Sequence, residues 1–215
     1  MKNFKKKTTT INGFINKNIL IKNSAAFLSI KAGRKKGTVD IAVSGLAVAF
    51  NGGGDVKEKD PEFKESYQAA KEIVKRGGIV ISGGRNTGIM EAVSRGGGKY
   101  GLGINFPEQV KQGKASVYGH KLVTDPITRM IILTSCFPYV VVYCGAVGTL
   151  HEFMNGIIAL KNHNLYGLPA PKILVHAFWK ETINHLAKRG ILDKGYLKQL
   201  HFFQSSLNVV KLLSK

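Results

Sequence analysis

From Thr38 onward, short β-rich runs alternate with helical stretches, and three of the strand-to-helix junctions (45–54, 83–88 and 145–149) are rich in glycine. That alternation constrains the fold more than any other feature. Strand–helix–strand units pack as parallel pairs with right-handed crossovers, and a succession of them winds into an open sheet. The expected fold is therefore α/β: a three-layer, doubly wound, mainly parallel sheet of Rossmann-like type with helices on both faces. Such sheets bind ligands beyond the carboxyl ends of their strands, where the strand order reverses.

The pattern can be followed element by element. Strands are expected at 39–44, 79–82, 100–105, 120–123, 139–143, 172–176 and 200–204, with helices between or after them. The helix expected at 61–76 carries Phe63, Tyr67, Ala70, Ile73 and Val74 near helical spacing and stops at Gly77-Gly78. Further helices are expected at 87–95, 126–135, 150–161, 179–188 and 207–213. Thr124-Asp125-Pro126 supplies a capping side chain and a first-turn proline for the helix at 126.

The chain has 215 residues, 44% of them hydrophobic, which suits one globular domain and excludes wholesale disorder. No apolar run approaches the roughly 18–20 residues needed to span a bilayer, so no membrane role is expected. Two cysteines, Cys136 and Cys144, cannot build a disulfide framework, which points to a reducing, cytoplasmic setting.

Charge is unevenly spread. The chain holds 32 Lys and Arg against 13 Asp and Glu, and residues 1–37 contain ten of the bases and no acid. Residues 1–37 read as a flexible basic leader, and 38–215 as a single Rossmann-like domain. The leader lacks the apolar core of a secretory signal, and its preference for Lys over Arg is unlike a transit peptide, although organelle targeting stays open. Contact with nucleic acid is expected only through this leader.

Several side chains could carry chemistry. Ser82-Gly83-Gly84-Arg85-Asn86-Thr87-Gly88 joins a strand to a helix start, where backbone N–H groups and the helix dipole favour an anion. It is neither a Walker A loop nor a regular GxGxxG fingerprint, and a tight turn explains it equally well. In the second such turn, Glu152 follows Thr149 by three residues. It is either a capping-box partner or a carboxylate aimed into the ligand crevice. Arg129 is either a surface charge or half of an ion pair, or else a guanidinium for a phosphate or leaving base. Six histidines show no metal-binding spacing. Cys144 ends a strand at a helix start, where a thiol pKa can fall, but no catalytic histidine partner is evident.

These pieces, in this order, resemble the LOG ("Lonely guy") family of nucleoside-5′-monophosphate phosphoribohydrolases, often mislabelled as lysine decarboxylases. The family signature is PGGxGTxxE, and residues 144–152 read CGAVGTLHE, matching at Gly145, Gly148, Thr149 and Glu152. Residues 83–90, GGRNTGIM, are similar to the family's GGG-x-x-G-x-M segment, and 103–109, GINFPEQ, to its GLNI…LPxEQ stretch. Arg129 falls where the family has an Arg-Lys pair. The resemblance covers residues 38–213.

It implies hydrolysis of the N-glycosidic bond of AMP or a cytokinin riboside monophosphate, giving free base and ribose 5-phosphate. Glu152 and Arg129 would be the catalytic pair. Gly45, Gly83, Gly84, Gly88, Met90, Gly145, Ala146, Gly148 and Thr149 would line the nucleotide site. The chemistry is coherent, because a carboxylate stabilises the positive charge that develops on the sugar as the bond breaks. The resemblance further implies a homodimer that needs no metal or other cofactor. Three residues depart from the pattern: Cys144 for Pro, Met130 for Lys, and Ala146 for Gly. Ala146 predicts an altered phosphate nest, since its methyl stands where close approach or a positive φ is expected. Two other readings follow from these departures and the charge: a non-catalytic nucleotide or molybdenum-cofactor binding protein, and a DNA-handling Rossmann protein.

Overall fold

The computed structural model describes residues 7–164 and 170–213, which form two sheets and eight helices. The first four strands pair antiparallel, with apolar and polar residues alternating most clearly in the second and fourth. They are β1 (Lys7–Asn12), β2 (Ile19–Asn23), β3 (Ala26–Ala32) and β4 (Thr38–Gly45), in the order β1-β4-β3-β2. One face of this sheet buries Ile19, Ile21, Leu28, Ile30, Val39, Ile41 and Val43 in the main core. Lys22 and Lys31 are exposed.

Residues 7–37 are thus ordered, not a flexible leader; residues 1–6 lie outside the described residues. The physical reason is the period-two alternation within segments such as Ile19–Asn23 and Ala26–Ala32. Each buried aliphatic side chain contributes about 1.5–3 kcal/mol, enough to hold a basic segment against the core. The intervening segment also covers a sheet edge. Asn16 donates its backbone N–H to the Val123 carbonyl, while its Oδ1 accepts from the Val123 N–H.

The second sheet is parallel throughout. Its strands are β5 (Ala47–Asn51), β6 (Ile79–Ser82), β7 (Gly101–Asn105), β8 (His120–Val123), β9 (Tyr139–Val142), β10 (Lys172–His176) and β11 (Leu200–Phe203). Their order is β11-β10-β9-β5-β6-β7-β8. The chain starts in the middle at β5, builds outward to β8, then returns beside β5 as β9 and builds the other way. The reversal point lies between β5 and β9.

Side chains alternate across this sheet. Val48, Phe50, Val80, Val141 and Tyr143 face one apolar cluster with residues of α1 (Pro61–Lys75), α2 (Gly88–Gly97) and α8 (Ser206–Leu213). Ala47, Ala49, Ile81, Ile104, Val140 and Val142 face the other. That cluster also takes in the antiparallel sheet and residues of α4 (Pro126–Ser135), α5 (Val147–Asn162) and α6 (Lys180–Lys188). Two short helices, α3 (Pro107–Lys111) and α7 (Lys194–Leu197), complete the fold. The expected three-layer, doubly wound α/β architecture is present. The first expected strand, at 39–44, belongs instead to the antiparallel sheet, and the parallel sheet begins with β5.

Candidate functional site at the carboxyl edge of the parallel sheet

Three glycine-containing loops converge where the strand order reverses. The loop after β5, Gly52-Gly53-Gly54, lies between the other two. The Gly53 N–H donates to the Cys144 carbonyl after β9 (2.8 Å), and the Gly53 carbonyl accepts from the N–H of Ile89 in α2 (3.0 Å). Gly88 opens α2 with φ +60, and a Cβ there would stand 2.1 Å from the Gly53 oxygen. A side chain at 88 is excluded by both conformation and space. Gly145 packs as closely, since a Cβ on it would lie 2.8 Å from the Gly53 nitrogen. The start of α2 and the start of α5 are therefore brought to the same short loop, one from each face of the sheet.

The other expected site residues take definite places around it. Gly83 follows β6, and a Cβ on it would meet Arg129 Nη2 at 2.1 Å and the Met90 sulfur at 2.7 Å. Its missing side chain is the space that the guanidinium uses. Gly84 rests on Asn105, whose Nδ2 donates to the Gly84 carbonyl (2.9 Å). Thr149 is buried in the first turn of α5, whereas a Cβ on Gly148 would meet nothing within 4 Å. Ala146 caps α5 with φ −94, and its carbonyl accepts from the Leu150 N–H. Extended backbone with negative φ suits alanine, so the methyl brings no conformational strain to the nest.

Gly45 is elsewhere. It turns the chain from β4 into β5 with φ +74, pressed against the Ala25 carbonyl, at the amino end of the parallel strands. The crevice is built at the opposite ends, so Gly45 does not line it. The sequence reading merged β5 into a loop and so mistook which end of that strand Gly45 occupies.

Arg129 and Glu152 meet across α4 and α5. Arg129 Nη1 donates to Glu152 Oε1 (3.1 Å), Nε to the Ile104 carbonyl (2.9 Å) and Nη2 to the Gly83 carbonyl (3.4 Å). The guanidinium lies over the Phe106 ring, 4.9 Å from its centre. Both side chains are largely enclosed, with 10% and 16% of their surface exposed. Burial holds the Glu152 carboxyl above the ordinary glutamate range, although the Arg129 charge pulls the other way. Glu152 is therefore the partner of Arg129 and not a capping-box partner of Thr149, and Arg129 is not a surface charge.

Two polar residues of the crevice were not singled out by the sequence reading. Asn51 ends β5, is 1% exposed, and has no hydrogen-bond partner for either side-chain amide atom. Arg85, in the loop after β6, reaches the Gly54 backbone; a Cβ on Gly54 would be 3.5 Å from its Nη1. The signal available for Asn51 was a polar residue closing an apolar strand just before three glycines. For Arg85 it was a long cation inside a loop of small residues.

Other candidates recede. The Cys144 thiol is pushed up to about 11, chiefly by burial, so it is no ready nucleophile. Among the described residues, no three His, Cys, Asp or Glu side chains gather to hold a metal, and no helix is long and apolar enough to cross a membrane.

Comparison with known proteins agrees with this picture. Residues 45–187 match the SLOG cluster4 family, within a superfamily that includes LOG-like Rossmann proteins. No curated protein matches the chain. A molybdenum cofactor binding protein from the phototrophic bacterium Rippkaea orientalis is similar over 79% of this chain and 95% of that one, with TM-score 0.59 and 23% identity. The molybdenum cofactor carrier protein of Chlamydomonas reinhardtii aligns over 79% of this chain and 96% of its own, with TM-score 0.55 and 16% identity. At these identities the likeness establishes a shared fold.

Proposed function

The chain belongs to the SLOG cluster4 family, and from that premise we propose that it binds a phosphorylated heterocyclic ligand, a nucleotide or the molybdenum cofactor, without cleaving it. The ligand would lie on the loops after β5, β6 and β9, its anionic end toward the starts of α2 and α5. One observation carries the choice of binding over hydrolysis. The groups that hydrolysis would use, Glu152 and Arg129, are bound to each other, and Arg129 is further held by the Ile104 and Gly83 carbonyls. A guanidinium with three protein acceptors shapes the crevice wall and has little left to offer a ligand. Met130 stands where the LOG pattern has a second cation, which weakens the catalytic reading further. The two structural neighbours named above are described as binding or carrying the molybdenum cofactor, which supports the same choice.

For that cofactor as cargo, the fit lies in anion contacts. The glycine loops and helix starts suit its phosphate, and the described residues offer no cluster of metal-ligating side chains.

Hydrolysis of a nucleoside monophosphate is the second reading. It is favoured by the position of Glu152, a carboxylate held above its ordinary pKa at the place of the LOG signature glutamate. To separate the two, the protein is incubated with AMP or with the molybdenum cofactor and passed through a desalting column. Bound ligand and free base are then measured by chromatography. The proposal expects intact ligand to be retained and no adenine formed. Adenine release that disappears in Glu152→Gln would establish hydrolysis instead.

The LOG resemblance also carries a homodimer into the proposal. Ile127 on α4 and Ile158 on α5 are exposed apolar surface for it. Sedimentation at a monomer's mass would remove that part.

A further inference from the structure

We infer that Arg85, and not Arg129, is the residue that holds the anionic group of the ligand. The inference rests on the binding site proposed above and names the charge that selects its occupant. It begins with an inventory of partners. Arg129 has a carboxylate and two backbone carbonyls. Arg95, on α2, has Glu58 at 2.7 Å and Glu91 at 3.1 Å. Arg85 has no hydrogen-bond or ion-pair partner for its side chain among the described residues, and its Nε is buried without an acceptor.

A guanidinium carries five N–H donors, and leaving a buried one unmatched is unfavourable. Arg85 is half-buried, and such a donor is completed by water or by a ligand that displaces it.

Its position says what that ligand is. Arg85 lies three residues before α2 begins, and its Nη1 would stand 3.5 Å from a Cβ on Gly54, a point also near the Thr87 hydroxyl and the Met90 methyl. The guanidinium thus lies near the start of a ten-residue helix, whose Ile89 N–H is taken by the Gly53 carbonyl while its dipole still favours an oxyanion. A second unmatched group lies at the foot of the same loop, where Asn51 is buried with both amide atoms unpartnered.

The loop carrying Arg85 is also held in place. Asn86 donates its N–H to the Lys114 carbonyl and Nδ2 to the Gly113 carbonyl, and Ser116 N–H donates to the Gly84 carbonyl. Three of the nearby carboxylates are on other bases, Glu91 and Glu58 on Arg95 and Glu152 on Arg129. Asp55 is exposed, and Glu65, with one buried unpartnered oxygen, acts with Glu62 and Asp60 on Cys144. A fixed, unneutralised guanidinium at a helix start is suited to a phosphate monoester or a similar oxyanion.

The test is calorimetric titration of the full chain, at low salt, with AMP, adenosine and inorganic phosphate. Wild type, Arg85→Gln and Arg85→Lys are compared. AMP should bind wild type more tightly than adenosine does, and phosphate should compete with it. Arg85→Gln should weaken AMP by about 10- to 100-fold, the scale of one or two charge-assisted hydrogen bonds, and leave adenosine unchanged. Arg85→Lys should recover part of the loss. Equal AMP affinity in wild type and Arg85→Gln would overturn the role of Arg85 while leaving the binding site standing. Phosphate bound through Arg85 with AMP refused would sink the nucleotide reading and support this one. Wild type that takes up neither AMP nor phosphate would overturn both the role of Arg85 and the nucleotide reading.

Discussion

Two arginines stand at the carboxyl edge of the parallel sheet, and they are in opposite circumstances. Arg129 comes from α4 and is held by Glu152, Ile104 and Gly83, over the Phe106 ring. Arg85 comes from the loop after β6 and has no partner among the described residues. The first is tied into the wall by three bonds; the side chain of the second is tied to nothing among the described residues and is the one proposed to meet the ligand. A motif alone weights them the other way, because Arg129 falls on a family pattern and Arg85 interrupts one. What separates them is hydrogen-bond satisfaction. A matched cation contributes to the fold, and an unmatched one is available to a ligand.

That contrast can be broken by substitution. The largest stability effect is expected from Arg129→Ala. It leaves Glu152 enclosed without its counter-charge and frees two carbonyls, for a loss of about 3–5 kcal/mol in urea denaturation. A loss under about 1 kcal/mol would mean that the pair does not hold the crevice together.

Next comes Gly88→Ala, which forces a side chain into positive φ against the Gly53 oxygen. Strain of about 1–3 kcal/mol is expected from conformation alone, with further cost from the displaced loop. AMP binding should fall with it, because the loops after β5 and β6 meet at that contact.

The Glu152→Gln variant sharpens the comparison through pH. The folded state holds the Glu152 proton more tightly than the unfolded chain does, so it carries more protons over that range. Stability from this group is present below the ordinary glutamate pKa and is lost as pH rises through the raised value. Urea midpoints between pH 4 and 7 should therefore fall for wild type relative to Glu152→Gln. Parallel curves would show that Arg129 cancels the burial effect. The smallest stability change belongs to Arg85→Gln, expected within about 0.5 kcal/mol of wild type because no internal contact is lost.

The same physics explains what could be read from sequence. The strands at β6 and β10, each largely an apolar run between turn signals, are found where expected, as is the more polar β8. So is the helix start at Asp125, whose carboxylate accepts from the Thr128 N–H. The antiparallel sheet was hidden by its charge. Segments such as Lys7–Asn12 put Lys, Thr and Asn on an exposed face, and acid-free basic stretches resemble tails. Strand β5 was hidden by continuity. Residues 39–51 read as one apolar stretch and a loop, but Gly45 breaks them into strands of two different sheets.

For the site, the spacing of Gly145, Gly148, Thr149 and Glu152 marked the loop and the carboxylate, and the LOG resemblance paired Glu152 with Arg129; their direct bond is visible only at the crossing of α4 and α5. Asn51 and Arg85 stand out by what they do not touch. Sequence pattern does not record unmet hydrogen bonds.

The central claim is that a phosphorylated ligand sits where the loops after β5, β6 and β9 meet. Amide hydrogen exchange, with and without AMP, tests it most directly. The account predicts slowed exchange confined to residues 52–54, 84–89 and 145–149 when AMP is bound. Protection elsewhere, or bound AMP with no change at those amides, would contradict it.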